Sequence, residues 1–292
     1  MTKVFLLGLI LAFLAISEGQ LLSKGPFPAR GFAKVLNEDE AERRLSRYRS
    51  FLVRDLNQSV HHQAYALRFK LRHMPRRGDE SSREGLISGP SLGHGISRID
   101  LDSGEEGGEP VSILLHNSSD PQAWRYRKES ARSLKLEHKD LLLPLVEGMN
   151  QTPFDILMPF VFWGARYEKS GKVAGRPAHI YAFSLPEWVR EARPDWNRVT
   201  LALDDDYEAP LRVQTFSSRS VPVKTFILNS LKKIDSTWIV KRFDCKNGSD
   251  LSNTRFEVLS VALRLDLDPI SFSPKGLGRR LEIPQELFVP TN

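Results

Sequence analysis

Residues 152–163 read TPFDILMPFVFW, and residues 175–183 read GRPAHIYAF. The first stretch places large apolar side chains around Pro153 and Pro159, and two prolines so close together exclude a long regular helix. The second stretch begins with a turn and continues as an apolar strand. An irregular segment with so many apolar side chains is removed from water only if it packs on another apolar surface. We therefore expect residues 152–163, called the lid below, to lie over a sheet.

The N-terminus has the pattern of an export signal. Lys3 precedes an apolar run from Val4 to Ile16, which is too short to span a membrane comfortably. Small residues before Gln20 fit a cleavage site, and no cysteine follows the run, which excludes a lipid anchor on an N-terminal cysteine. We predict a signal peptide over 1–19, a periplasmic protein that begins at Gln20, and a flexible lead-in over 20–36 that contains glycine and prolines.

Composition indicates a globular protein with one large core. Of 292 residues, 27% are charged and 40% hydrophobic, which is a soluble composition. Cys245 is the only cysteine, so an internal disulfide is impossible and an inert thiol at a strand end is expected. Stability must then come from core area, which favours a single domain over 37–292. The net charge of +6 fits a surface that meets anionic lipid or an acidic partner, and equally a solvated surface with no partner.

A helix is predicted directly after the lead-in. Asn37 and Glu40 form a capping box, and apolar residues follow at helical spacing to about Leu56. The opposite face carries five arginines: Arg43, Arg44, Arg47, Arg49 and Arg54. We interpret this arginine face as a solvated surface, with contact to anionic headgroups as the alternative.

From residue 65 onward the hydrophobic period changes to two, which is typical of strands. Strands are predicted at 65–71, one or two within 85–99, then at 111–115, 124–127, 180–184, 199–203, 211–216, 224–229, 238–243 and 255–265, with a short helix at 187–192. Many short strands joined by tight turns predict an antiparallel meander, whose apolar face must be covered. The predicted fold is mainly β (α+β): a curved, incompletely closed antiparallel β-barrel with helices covering an apolar cavity.

Catalytic and metal-binding patterns are absent from the sequence. None of the seven histidines forms an HExxH motif, and there is no G-x-S-x-G elbow. The Asp204–Asp205–Asp206 run lacks the spaced ligands of a calcium loop and is interpreted as a solvated hairpin turn. The run from Trp124 to Lys128 resembles a nucleic-acid platform, but an alternating exposed strand explains it better. We therefore expect a protein that is not an enzyme and has no cofactor, no metal site and no nucleic-acid partner.

The aromatic and aliphatic side chains of the lid and strands suggest that the protein binds an acyl chain. Burying an acyl chain contributes roughly 0.8 kcal/mol per CH₂, so a sixteen-carbon chain contributes on the order of 10 kcal/mol before ordering costs. For each residue taken alone, an ordinary core position is the alternative. The candidate lipid-binding and lid residues are Phe154, Leu157, Phe160, Phe162, Trp163, Tyr181, Phe183, Leu201 and Trp238.

Several of these stretches, taken in order, resemble one family. They include the leader and the N-terminal helix, RFKLR at 68–72, the lid with its Phe154-Asp155, Pro159-Phe160 and Trp163, GRPAHIY at 175–181, VTLALD at 199–204, WIVK at 238–241 and DPISFSP at 268–274. Over residues 37–280 the chain resembles the LolA-like outer-membrane lipoprotein-sorting proteins, with extra material around 75–110. The shared motifs are structural, and none is a catalytic signature.

The resemblance implies a half-barrel whose cavity holds the acyl chains of lipoproteins. It implies a monomeric periplasmic carrier that moves lipoproteins or lipids toward the outer membrane, between an inner-membrane ABC transporter and an outer-membrane receptor. An envelope sensor or scaffold of the same fold, which binds a protein partner, is the alternative, and a secreted hydrolase ranks third. We expect the cavity to be lined by strands within 180–203 and 238–265 and covered by the 37–56 helix and the lid.

Overall fold

A computed structural model describes residues 32–52, 63–93, 95–104 and 109–291. The predicted signal peptide, most of the lead-in and the end of the first predicted helix lie outside these residues. Within the described ranges, no helix has both the length and the apolar character needed to cross a membrane.

One sheet of fourteen antiparallel strands runs through the described chain. Its first six strands are β1 (Ala64–Met74), β2 (Ser81–Gly89), β3 (Ile96–Leu101), β4 (Val111–His116), β5 (Gln122–Arg127) and β6 (Arg132–Lys135). The others are β7 (Ala165–Val173), β8 (Arg176–Ser184), β9 (Trp196–Asp204), β10 (Pro210–Ser217), β11 (Pro222–Ile234), β12 (Thr237–Asn247), β13 (Asn253–Leu265) and β14 (Val289–Pro290). The described residues contain three α-helices: α1 (Glu38–Leu52), α2 (Pro153–Leu157) and α3 (Glu187–Ala192). Short 3-10 helices lie at His138–Leu142, Pro159–Phe162, Pro269–Phe272 and Gln285–Leu287.

The sheet is two meanders joined at one pair of strands. Strands β1 to β6 form one meander and β7 to β13 the other, and β1 pairs with β13 where they meet. The terminal strands β6 and β7 do not pair with each other, so the sheet stays open. β12 pairs with β13 only over Arg242–Lys246, and β14 pairs with the later part of β13 instead. The predicted class, an incompletely closed antiparallel barrel with covering helices, is confirmed.

Helix α1 covers part of one face of this sheet, called the inner face. The predicted capping box is present: the Glu40 amide donates to Asn37 Oδ1 at 2.9 Å, and the Asn37 amide donates to a Glu40 carboxylate oxygen at 3.2 Å. Leu45, Tyr48 and Leu52 are buried, as their spacing predicts. Residues 53–56 of the predicted helix are not among the described residues.

The arginine face of α1 is solvated only in part: Arg43 and Arg47 are exposed, as predicted, whereas Arg44 and Arg49 are partly buried. Arg44 donates to the backbone carbonyls of Asp204 and Asp205, the latter at 2.8 Å, and Arg47 Nε donates to Glu208 at 3.0 Å. These acceptors lie in the β9–β10 turn. These anchoring contacts were not predicted, because partners about 160 positions apart in the chain leave no local sequence pattern.

The lid consists of α2 and the 3-10 helix that follows it. Thr152 caps α2 through its hydroxyl, which accepts from the Asp155 amide, and Pro153 takes the first helical position. Met158 then adopts the left-handed conformation (φ 49°), and Pro159 begins the 3-10 helix. This left-handed residue redirects the chain between two short turns, which explains the absence of a long helix.

The outer face of the sheet is covered near β1–β6 by residues 269–291, called the C-terminal strap. Phe272 and Phe288 of the strap pack with Ala66 and Ala262 in a second buried cluster. Gly276 permits a tight turn here, because a Cβ atom at this position would lie 1.9 Å from the Ile270 carbonyl oxygen. Away from the strap, a third buried apolar cluster that includes Ala178, Ile180 and Ala202 lies on the outer side of β8 and β9. Elsewhere this face carries cross-strand ion pairs such as Arg242–Glu257 at 2.8 Å.

Candidate functional site

The interior beneath the lid is the largest apolar region in the described part of the chain. Phe160 packs edge-on against Phe183 of β8, with ring centroids 5.4 Å apart. Phe154 contacts both Phe160 and Trp196 of β9, at 6.1 and 5.8 Å. Phe154 and Phe160 are each only 1% exposed. In this conformation the side chains of the lid themselves fill the concave inner face.

Most of the predicted site residues come together in this region. The interior cluster contains six of them: Phe154, Leu157, Phe160, Tyr181, Phe183 and Leu201. Phe162 and Trp163 are partly buried and pack against the cluster from its boundary. Trp238 is half-buried and is not part of the cluster, to which its neighbours Ile239 and Val240 contribute instead. The structure gathers these residues but does not by itself distinguish a lipid site from an ordinary core.

A buried ion pair fixes the first half of the lid. Asp155, 4% exposed, accepts from Lys224 Nζ of β11 at 2.5 Å. The same carboxylate accepts from the Thr152 amide at 2.9 Å and from the Thr152 hydroxyl at 2.7 Å. The negative charge therefore serves both the cap of α2 and the attachment of the lid to the sheet.

The second half of the lid is held by hydrogen bonds nearer the surface. Arg49 of α1 donates to the carbonyls of Val161 and Trp163 at 2.6 and 3.0 Å. The Trp163 indole donates to the carbonyl of Ser119, in the β4–β5 turn, at 3.2 Å. Arg49 thus joins the helix to the lid, and Trp163 joins the lid to the other meander.

A buried histidine connects β8 to the β9–β10 turn beside α1. His179 has one ring nitrogen 2.8 Å from Asp205 Oδ1 and the other 3.2 Å from the Tyr167 hydroxyl. Burial lowers the pKa of His179, and the nearby charge of Arg44 adds to this, although the hydrogen bond to Asp205 acts in the opposite direction. The run of aspartates is therefore an anchored turn and not the solvated hairpin that we predicted.

Cys245 lies on the inner face, 0% exposed. Burial raises the pKa of its thiol well above the ordinary value. Its position is two residues before the end of β12, in agreement with the prediction of an inert thiol near a strand end.

A polar cleft of about 1330 Å³ lies on the outer side, between the strap and strands β1–β5. Arg98 is buried beside it and donates to both carboxylate oxygens of Asp100, at 2.8 and 3.1 Å. Arg98 also donates to the strap carbonyls of Gly276 and Arg279, at 3.2 and 2.6 Å, and so holds the strap on the sheet. Local pattern did not reveal this cleft, because its walls come from segments far apart in sequence.

No family model and no curated protein matches the sequence. Solved structures resemble most of the fold, among them the following three. An outer membrane lipoprotein-sorting protein domain from Vibrio parahaemolyticus is 13% identical, with a TM-score of 0.64 over 82% of this chain and 97% of that one. A DUF1329 family protein from Desulfovibrio piger is 14% identical, with a TM-score of 0.60 over 74% and 91% of the two chains. A LolA superfamily protein from Nitrosomonas europaea is 12% identical, with a TM-score of 0.56 over 73% and 90%.

These likenesses extend over most of this chain and nearly the whole of each of the three others. At sequence identities of 12–14%, these likenesses show a shared fold and do not show which ligand is bound. The chain has the LolA-like fold.

Proposed function

We propose that the protein is a periplasmic, non-enzymatic carrier that binds acyl chains of lipoproteins or lipids beneath the lid and moves them toward the outer membrane. Its ligand would occupy the space that Phe154 and Phe160 fill in the present conformation. On this proposal an inner-membrane ABC transporter loads the carrier and an outer-membrane receptor unloads it. Binding of this kind requires no catalytic group.

The observation that carries the proposal is the construction of the lid. Its apolar side chains are buried against the inner face, and its polar contacts with the sheet and with α1 are few and lie toward its two ends. A segment attached in this way can leave while the sheet stays folded, because the strands keep their own ladder hydrogen bonds. An acyl chain that takes its place buries about the same kind of surface and recovers the hydrophobic free energy.

The first test is native mass spectrometry of the exported protein purified from its own cell envelope, with organic extraction of what co-purifies. A stoichiometric lipid or acylated peptide is expected. A mass equal to the bare chain, with no binding of added acyl chains, would contradict the carrier proposal. That result would favour the alternative, a sensor or scaffold that binds a protein partner.

A second test addresses the lid directly. Arg49→Gln removes two charge-assisted hydrogen bonds to lid carbonyls, so we expect uptake of a fluorescent fatty acid to accelerate about tenfold or more. The matched control is Arg43→Gln on the same helix, since Arg43 is exposed and no partner of its side chain appears among the described residues. Equal uptake rates for the two variants would show that the lid does not gate the interior.

A further inference from the structure

Positive charge is concentrated at one end of the sheet. Residues 125–135, which include the β5–β6 hairpin, contain five Lys/Arg and one Glu, whereas the whole chain has a net charge of only +6. The strap brings Arg279 and Arg280 beside this hairpin, because Gly278 lies against the ring of Tyr126. We call the group the basic edge: Arg125, Arg127, Lys128, Arg132, Lys135, Arg279 and Arg280.

Carboxylates that include Glu109, Glu129 and Glu282 line the cleft beside these cations, but among the described residues none of them lies within ion-pair distance of a cation of the basic edge. Within the described residues, no cation of the basic edge forms an ion pair, although most other arginines of the sheet do. Arg127 stands directly opposite Arg132 in the ladder, a like-charge arrangement that is unfavourable for strand pairing. Burial and the charge of Arg127 lower the pKa of Arg125, and Glu109 offsets this only in part.

The basic edge is accessible and includes an apolar side chain. Arg127, Lys128, Arg132 and Lys135 are exposed, and β6 has no strand partner on its far side. Leu134 lies between two of these cations and is 50% exposed. Exposed cations without an ion pair, placed around an exposed leucine, are the features that favour an anionic lipid surface over water.

We propose that the basic edge docks the protein on a membrane surface that contains anionic phospholipid. The cations would lie at the level of the phosphate groups, and Leu134 would enter the headgroup region. This proposal does not depend on an acyl chain binding beneath the lid.

Charged residues on an edge strand also have a protective role, since they discourage pairing with the edge of another sheet. That role explains one or two cations on β6. It does not explain the cations that the strap and the β5–β6 turn add beside that strand. Replacing these cations by neutral residues distinguishes the two roles. If the cations are protective, the variant should aggregate; if they dock the protein on a membrane, the variant should lose binding to vesicles.

The experiment is vesicle flotation with protein that begins at Gln20, so that the apolar run at 4–16 cannot insert. Vesicles of phosphatidylcholine alone are compared with vesicles that contain about 30 mol% phosphatidylglycerol. The test variant is Arg127→Gln, Lys128→Gln and Arg132→Gln together. The control removes the same charge elsewhere, by Arg43→Gln, Lys172→Gln and Arg219→Gln, three exposed positions without an ion pair among the described residues.

We expect the parent protein to float only with anionic vesicles and to be released at about 0.5 M salt, where the charges are screened. Each basic residue near the surface contributes about a fivefold gain in binding, so the test variant should bind about a hundredfold more weakly. Leu134→Ser should weaken binding about fivefold.

Four results would overturn the proposal. They are the absence of flotation by the parent, equal flotation with neutral vesicles, an equal loss in the control variant, or a test variant that aggregates and still floats. Thermal unfolding of each variant confirms that it is folded.

Discussion

Lys224→Met should loosen the lid and destabilise the protein by about 2–3 kcal/mol. Removing one partner of a buried ion pair typically costs 3–5 kcal/mol, because the other charge stays buried without compensation. Here Asp155 keeps two hydrogen bonds from Thr152, so the lower end of that range, or slightly less, applies. Methionine retains most of the apolar stem of lysine, which keeps the loss of packing small.

The assay is urea unfolding of four proteins: the parent, Lys224→Met, Asp155→Asn and the double variant. The double variant no longer has an unpaired charge and should lie closer to the parent than the sum of the two single changes. We expect a coupling free energy of at least about 1 kcal/mol in this cycle. As a control, Lys70→Met removes the exposed Lys70–Glu84 pair, 3.4 Å apart, and should change stability by less than about 0.5 kcal/mol.

Two outcomes would refute the reasoning. If Lys224→Met and Lys70→Met are equally mild, burial of the Lys224–Asp155 pair does not have the energetic effect assigned to it. If the two single changes simply add, the two side chains do not interact, and the lid is held by its apolar contacts alone.

Three further predictions concern other parts of the molecule. Arg98→Lys should destabilise the protein by about 2 kcal/mol or more in urea unfolding, because an ammonium cannot reproduce the paired bonds to Asp100 and the bonds to the strap. Asn37→Ala should lower the free energy of unfolding by about 1 kcal/mol, since the cap of α1 is lost. Burial holds the pKa of His179 below its ordinary value of 6.5 in the folded protein. As the pH falls, His179 is therefore protonated in the unfolded chain at a higher pH than in the folded chain. Stability should therefore be full above about pH 6.5 and fall below it, and the parent and His179→Asn should differ in this slope when unfolding is measured from pH 7 to 5.

Features that depend on neighbouring residues could be predicted from the sequence. The capping box at Asn37 and Glu40 is a contact across three positions, and the helix at 187–192 matches α3. The alternation of Tyr65, Leu67, Phe69 and Leu71 in β1 correctly predicted that these four side chains lie on the apolar face. Strands β6 and β7 were not predicted, because a terminal strand has one partner and little core to face, and RSLK at 132–135 shows no clear alternation.

Features that depend on distant contacts could not be predicted. The backbone carbonyls that Arg44 and Arg49 bind lie more than a hundred positions away, so the anchoring role of these arginines leaves no local signal. The polar cleft is assembled from the strap and strands far from it in sequence. Trp238 was assigned to the interior by composition, but the observed fold places Ile239 and Val240 there, which shows how sensitive strand faces are to register.

The two ends of the lid differ in how they are held, and this difference determines how the interior can open. At Asp155 the attachment is an ion pair 4% exposed on one side and 13% on the other, which water reaches poorly. At Trp163 the attachments are an indole bond to an exposed turn and a guanidinium that is 24% exposed, both of which water can replace at small cost. Opening should therefore begin at Trp163 and progress toward Thr152, with left-handed Met158 between the two turns as the place where the backbone can bend. Such a motion uncovers Phe183 and the edge-on contact of Phe160 before it disturbs the cap of α2. A ligand that enters from this side would meet the apolar interior while the ion pair still holds the lid to the sheet.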